Sequence, residues 1–399
     1  MARPQRHDFE IAVVCALDLE YDAATLAFDE VDDDDLGKAP GDTNTYTTGR
    51  IGRHNVVMAL LPGMGKANAA SVTAALRSSY TGLKLALLTG VCGGVPTPDG
   101  RTEVVLGDVV ISKTVAQYDL GRQYPDRLAR KDTVDDNLGR PNQEIRSMLA
   151  VLGSEFGKSR LRKRTNVVLG EIRQKAIDED RETGYDRPAA QDDTLYPSTY
   201  LHIHRDRPDC GCTDAGGCDE AIGASCEKLK CDSALAVERD RLLKAGAASG
   251  GPRIYVKPVA SGDTVIKSGA HRDKIAEENG VWAFEMEGAG VWDQVPCIVV
   301  KGVCDYADSH KNKKWQPHAA AAAAAVAKAL LDLYIKTDKP GDVRPTSNEP
   351  ASGVVGTSHR FHNTRSGSQY IHTGTGDQNN NTGGGKQFNA HTINFGDMH

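Results

Sequence analysis

The chain of 399 residues is predicted to form an α/β fold. Three observations carry that expectation. Apolar, strand-like runs alternate with helical patterns between residues 9 and 115, and the alternation resumes at Arg253. Glycines follow the strand-like runs directly, as in Thr89-Gly90-Val91-Cys92-Gly93-Gly94. Two acidic clusters, Glu285-Met286-Glu287 and Cys304-Asp305-Tyr306-Ala307-Asp308, each come after an apolar run, which puts carboxylates where α/β sheets build ligand sites.

Phe9 to Ala16 reads as a first strand and Val56 to Leu61 as another. A small-residue helix over Ala67 to Leu76 is entered through Gly63-Met64-Gly65. Leu83 to Leu88 makes a third strand, and Val104 to Ser112 completes this half, interrupted by Gly107-Asp108. From about 121 to 251 Arg, Asp and Lys dominate and apolar runs are short, so this stretch reads as an elaborate insertion or a partly mobile cover. Arg253-Ile254-Tyr255-Val256 restarts the pattern, Cys297 to Val300 reads as a buried strand, and alanine-rich sequence predicts a closing helix from about His318 to Ile335. One domain over 8–337 with a large internal insertion accounts for this better than two.

Charged residues at 26% and hydrophobic residues at 39% describe a soluble protein, and the Ala-rich run from Ala319 to Leu331 is too short and too weakly apolar to span a bilayer. With no signal-peptide pattern at the N-terminus, the expectation is a cytoplasmic protein with no membrane association. A net charge of −6 gives no general reason to expect nucleic-acid binding. Of nine cysteines, Cys15, Cys92, Cys297 and Cys304 lie in apolar contexts and read as reduced core residues. Cys210, Cys212, Cys218, Cys226 and Cys231 crowd a polar segment just after His202 and His204. Zinc would suit them, but there is no C-x-x-C pair, so they are read as unligated thiols with no metal and no cofactor expected.

Residues 338–366 lose hydrophobic periodicity and read as a flexible linker. In 367–399, Gln369, Gln378 and Gln387 recur every nine residues, and Thr373-Gly374 recurs as Thr382-Gly383. A short Gln/Asn/Gly period is the mark of stacked, amyloid-like β-arcs; a disordered low-complexity tail is the alternative.

With these motifs assembled, the chain from Asp8 to Ile335 resembles the nucleoside phosphorylase/nucleosidase superfamily. It is similar in particular to the copies in fungal NLR-like immune proteins, through Gln117-Tyr118-Asp119 and the run from Cys304 to Pro317. The resemblance implies a mixed central sheet curling toward a barrel and flanked by helices, and a homo-oligomer. The tail resembles fungal signalling-amyloid motifs, which implies an NLR-type receptor as partner.

Cleaving an N-glycosidic bond to a purine builds positive charge on the sugar and negative charge on the leaving base. By motif match the resemblance makes Asp305 the acid at purine N7 and Glu287 the acceptor of the ribose hydroxyls, with Met286 under the sugar. Phosphorylases of the superfamily hold phosphate with an arginine and a serine where this chain has Leu88 and Val91. Cys15-Ala16-Leu17-Asp18-Leu19-Glu20 instead resembles the nucleosidases, which makes Glu20 the base that activates water. Asp18 and Glu20 are also the residue types that favour a helix start. Gly65 and Gly90, with Gly63 and Gly94, would allow close backbone approach to a ligand or simply make turns. Ser261 and Asp263 match the part of the family pocket facing the base, whereas Val265 stands where an aromatic is usual.

The function implied is a purine nucleosidase acting on an adenine nucleoside or nucleotide, ATP included, as an immune and cell-death effector. His310, Lys311, Lys313, Lys314, Arg122, Arg127, Arg130 and Lys131 are cations available to a nucleotide's phosphates, or are solvated surface. A phosphate-dependent phosphorylase and a non-enzymatic ligand-binding module on a signalling tail are the alternatives.

Overall fold

The computed structural model describes residues 4–207, 209–213, 216–244 and 251–335, together with the backbone of Asn379–Asn380 and Phe388–Asn389. The chain divides into two units, Met1–Thr337 and Asp338–His399. In the second, Asn379–Asn380 pairs antiparallel with Phe388–Asn389. The rest of the expected linker and repeat tail lies outside the described residues.

In the first unit the strands are β1 (Ile11–Cys15), β2 (Glu30–Val31), β3 (Tyr46–Ile51), β4 (His54–Leu60), β5 (Leu85–Gly94), β6 (Val109–Gln117), β7 (Gly121–Gln123), β8 (Leu128–Arg130), β9 (Ile254–Ser261), β10 (Ala283–Glu285) and β11 (Cys297–Asp305). The helices are α1 (Asp18–Leu26), α2 (Lys66–Ser79), α3 (Gln143–Gly153), α4 (Glu155–Asp178), α5 (Asp219–Gly223), α6 (Asp240–Lys244), α7 (Gly269–Asn279), α8 (Gly288–Trp292) and α9 (Gln316–Leu331). Nine strands share one sheet in the order β10-β9-β6-β11-β5-β1-β4-β3-β2, and β10 pairs with β5 as well. That second pairing closes β10, β9, β6, β11 and β5 into a barrel, the mixed, curling sheet that the sequence resemblance implies. β1, β5 and β11 run parallel, whereas β6 is antiparallel to β11.

Closure depends on the length of β5. Its apolar first half, Leu85 to Leu88, pairs with β1 in the open sheet, while Gly93 and Gly94 pair with β10. The sequence ended this strand at Leu88 because glycines usually break strands. Here they prolong it. β6 likewise begins at Val109 rather than Val104, since the Asp108 carboxylate turns back onto the Val105 N–H (3.0 Å) and shapes a turn there.

α9 is buried on every side from His318 to Leu331, as expected of a central core helix. Its alanines let it lie close to β11, where a side chain at Gly302 would strike the Ala319 carbonyl. Around it gather Ile11, Val13, Leu85, Leu87, Ile298 and Val300 from the sheet. The stretch from 121 to 251 is an ordered part of this unit over its described residues: Val168, Leu169 and Ile172 of α4 pack with Ala320, Ala321 and Ala324 of α9. Further along, Asp193 and Arg239 both bind the buried Tyr306 hydroxyl (2.6 and 2.9 Å), so the insertion buttresses the residue next to Asp305.

Candidate active site

Glu20, Met286, Glu287 and Asp305 all line one cavity of about 220 Å³, with Val91, Val265, Ile266, Phe284, Cys304 and Lys311. Another cavity, of about 280 Å³ and lined by Arg173, Arg187, Arg241 and His318, shares no residue with it. The acidic cavity is the candidate active site, because the groups there match a chemistry.

Glu20 comes from the first turn of α1, directly after β1, and is 2% exposed. Its Oε2 accepts the N–H groups of Ala16 (2.8 Å) and Leu17 (3.1 Å), and its Oε1 accepts that of Val91 (2.7 Å). The position requires Gly90, since any Cβ there would overlap the Glu20 carboxylate. Three donors fix both oxygens, yet Oε1 keeps a lone pair for water.

Glu287 follows β10, where Glu285 Oε2 accepts the backbone N–H groups of Glu287 (3.0 Å) and Gly288 (2.8 Å) and so holds the turn into α8. Among the described residues Glu287 Oε1 has one hydrogen-bond donor, the Gly65 N–H at 3.4 Å, which leaves it lone pairs for hydroxyl donors. Burial, then the neighbouring Glu287, pushes the Glu285 carboxyl up to about 7, against a smaller opposing pull from Lys301.

Lys301 was not singled out in the sequence. It lies on β11 beside Gly90 and is 1% exposed. Its Nζ is 3.2 Å from Glu287 Oε2 and 3.7 Å from Glu20 Oε1, so one ammonium joins the two carboxylates. Burial works to lower its pKa, but Glu20, Glu287 and Glu285 together raise it and keep the amine charged. A lysine inside an otherwise apolar strand was the available signal.

Asp305 ends β11 at an irregularity in the pairing with β5. Its Oδ1 accepts the Ala307 N–H (2.8 Å), and Ala307 holds a left-handed backbone at φ 51. The other oxygen lies 3.6 Å from Lys311 Nζ and 3.6 Å from Cys304 Sγ. Burial raises the Cys304 thiol far above its usual range, so it remains an S–H that can donate to Asp305.

Ser261, Asp263 and Gly65 are not among the residues that line this cavity. Ser261 is fully buried, and its hydroxyl accepts the Ala289 N–H (2.9 Å), bracing α8. Asp263 accepts the Lys66 N–H (2.8 Å) at the start of α2, and Gly65 lies next to that junction. Val265 lines the cavity without an aromatic face, but Phe284 of β10 supplies one, set edge-on against Tyr118 at 5.8 Å. Of the cations read either as available to phosphates or as solvated surface, Lys311 lines the cavity. Lys314 pairs with Asp192 (2.6 Å), Lys131 with Asp136 (3.7 Å) and Arg127 with Asp126 (2.7 Å), while His310 is buried elsewhere.

Residues 10–147 match the family model of the phosphorylase superfamily. An NLR-like protein of Hyaloscypha variabilis is 31% identical over 330 residues, covering 81% of this chain and 29% of the relative. A 5'-methylthioadenosine/S-adenosylhomocysteine nucleosidase of Mycobacterium bovis is 36% identical over 83 residues, 21% of this chain and 30% of the relative. The chain therefore spans less than a third of the length of these relatives. Among solved structures, the futalosine hydrolase of Helicobacter pylori matches with a TM-score of 0.47 at 15% identity, covering 82% of this chain and 98% of that one. No described helix is long and apolar enough to cross a membrane.

Proposed function

We propose that this domain hydrolyses the N-glycosidic bond of a purine nucleoside or nucleotide, with adenine as the base. The supporting observation is the pairing of Glu20 and Glu287 through Lys301, with Asp305 in the same cavity. Asp305 acts as the acid: its Oδ2 gives a proton to N7 of the base, so the base leaves without the negative charge that would otherwise build on it. The base packs against Phe284, and Glu287 accepts the ribose hydroxyls through Oε1. A water bound at Glu20 Oε1 attacks the anomeric carbon as the glycosidic bond breaks, and its proton passes to Glu20. Lys301 holds both glutamates in place.

Water is favoured over phosphate because Leu88 is fully buried in the core and Val91, at the Glu20 carboxylate, is apolar. A phosphate dianion beside Glu20 and Glu287 would need cations beyond Lys301, which is already shared between them. Lys311 at the Asp305 side is the cation available to a nucleotide, so ATP and AMP belong in the same substrate panel as adenosine. The likeness to an NLR-like protein supports a role as an immune effector, with the C-terminal repeats joining it to a receptor and raising its local concentration.

The test is Glu20→Gln. It is expected to abolish release of free base while calorimetric binding of the substrate persists. Retained hydrolysis in that variant would remove Glu20 as the base.

A further inference from the structure

The cysteines of the insertion are not scattered. The fold gathers them into two groups: His202, Cys226, Cys231 and His310, and His204, Cys210, Cys212 and Cys218. Within each, one donor atom per residue lies within 4.8 Å of all the others. All five cysteines are free of disulfides.

The tautomers of the first group are set by backbone carbonyls. His202 Nε2 is 2.9 Å from Ala224 O, and His310 Nε2 is 2.9 Å from Tyr200 O. A carbonyl can only accept, so each Nε2 carries the hydrogen and each Nδ1 of the neutral ring exposes a lone pair. The two Nδ1 atoms face each other at 3.1 Å, with Cys226 Sγ and Cys231 Sγ between 3.5 and 3.9 Å from them. Two lone pairs so placed repel, and no proton lies between them to share. A cation at the centre removes the conflict. Zinc bound at its usual lengths in a tetrahedron sets nitrogen donors ~3.3 Å apart and nitrogen and sulfur ~3.6 Å apart. The carbonyl on each Nε2–H is the kind of partner that orients a metal-binding histidine.

The second group gathers the same kinds of donor atom. His204 Nδ1 lies 3.6 Å from both Cys212 Sγ and Cys218 Sγ, and the Cys218 N–H donates to Cys212 Sγ at 3.3 Å, as backbone amides do to metal thiolates. His202 and His204, two residues apart, deliver their imidazoles to different groups.

We propose that the insertion binds two zinc ions, one as Cys2His2 and one as Cys3His. Each thiol releases its proton to solvent on ligation. Both sets are complete at four ligands, leaving no open position for a reactive water, so the ions are structural. The first has a particular consequence. His310 follows Asp305 by five residues and precedes Lys311, whereas its fellow ligands belong to the insertion. An ion there ties the loop that follows Asp305 and carries Lys311 to the insertion, where a polar segment has little core of its own.

Elemental analysis of the full chain, purified without chelators, tests this directly. About two zinc ions per chain are expected, falling to about one in Cys226→Ser/Cys231→Ser and to about one in Cys212→Ser/Cys218→Ser. Because a variant can fail to fold, the reduced wild-type chain is also titrated with cobalt(II). Intense visible bands of tetrahedral cobalt thiolate, saturating at about two equivalents and displaced by zinc, are expected. A chain that carries no zinc and gives no such bands overturns the proposal. So does a zinc content that neither double variant lowers.

Discussion

The Lys301 ammonium lies 3.2 Å from the Glu287 carboxylate with both side chains withdrawn from water, and its second carboxylate, Glu20, is 3.7 Å away. Two buried carboxylates of one sign would repel each other and resist ionisation. Lys301 places a positive charge between the two. The proposed water-activating group and the proposed ribose acceptor therefore depend on one side chain that touches neither water nor sugar in the proposed mechanism.

Replacing that lysine should be costly. Lys301→Met leaves Glu20 and Glu287 buried without a counter-ion, and breaking such a pair destabilises by about 3–5 kcal/mol. Urea unfolding of the variant should show a midpoint well below wild type. A change of less than about 1 kcal/mol would mean that the carboxylates are solvated and surface-like.

Gly90→Ala reports on Glu20 without altering any ionisable group. The added methyl would occupy the space of the Glu20 carboxylate, displacing it from the Ala16, Leu17 and Val91 amides. Turnover should fall about 10²-fold or more, as for a misplaced catalytic base. Wild-type turnover in this variant would contradict the role given to Glu20.

The pH dependence of stability follows from Glu285. Its carboxyl rises from an ordinary value of 4.5 to about 7 in the folded chain, first through burial and then through Glu287. The folded state thus holds a proton that the unfolded state has lost. Between these two values stability must fall as pH rises, and the contribution is fully present only below the lower one. Urea midpoints taken at several pH values across that interval should show a downward slope that Glu285→Gln flattens. An unchanged slope in the variant would assign the effect to another group.

Much of this architecture was legible in the sequence. The strand-helix alternation and the acidic clusters marked β1, β5, β10, β11 and the ends that carry Glu287 and Asp305, while Glu20 came from the resemblance. β3 was not anticipated, since Tyr46-Thr47-Thr48-Gly49-Arg50 has little apolar content and is stabilised by pairing with β4. Lys301 was hidden because a lone lysine reveals its burial only when Glu20 and Glu287 arrive from distant segments. Phe284 directly precedes the Glu285-Met286-Glu287 cluster, but its place on the cavity wall depends on barrel closure through β5 and β10. The cysteine groups were read as separate thiols for a related reason. Their ligands interleave, with His202 and His204 sorted to different groups and His310 supplied from beyond β11, so no local spacing resembles a finger.

The central claim is tested most directly by chromatography of the purified chain incubated with adenosine, inosine, AMP and ATP, each with and without phosphate. Release of free adenine from at least one of the adenine substrates without phosphate, lost by at least about 10²-fold in a folded Asp305→Asn variant, is the predicted result. Release that requires phosphate, or that survives in Asp305→Asn, would contradict it.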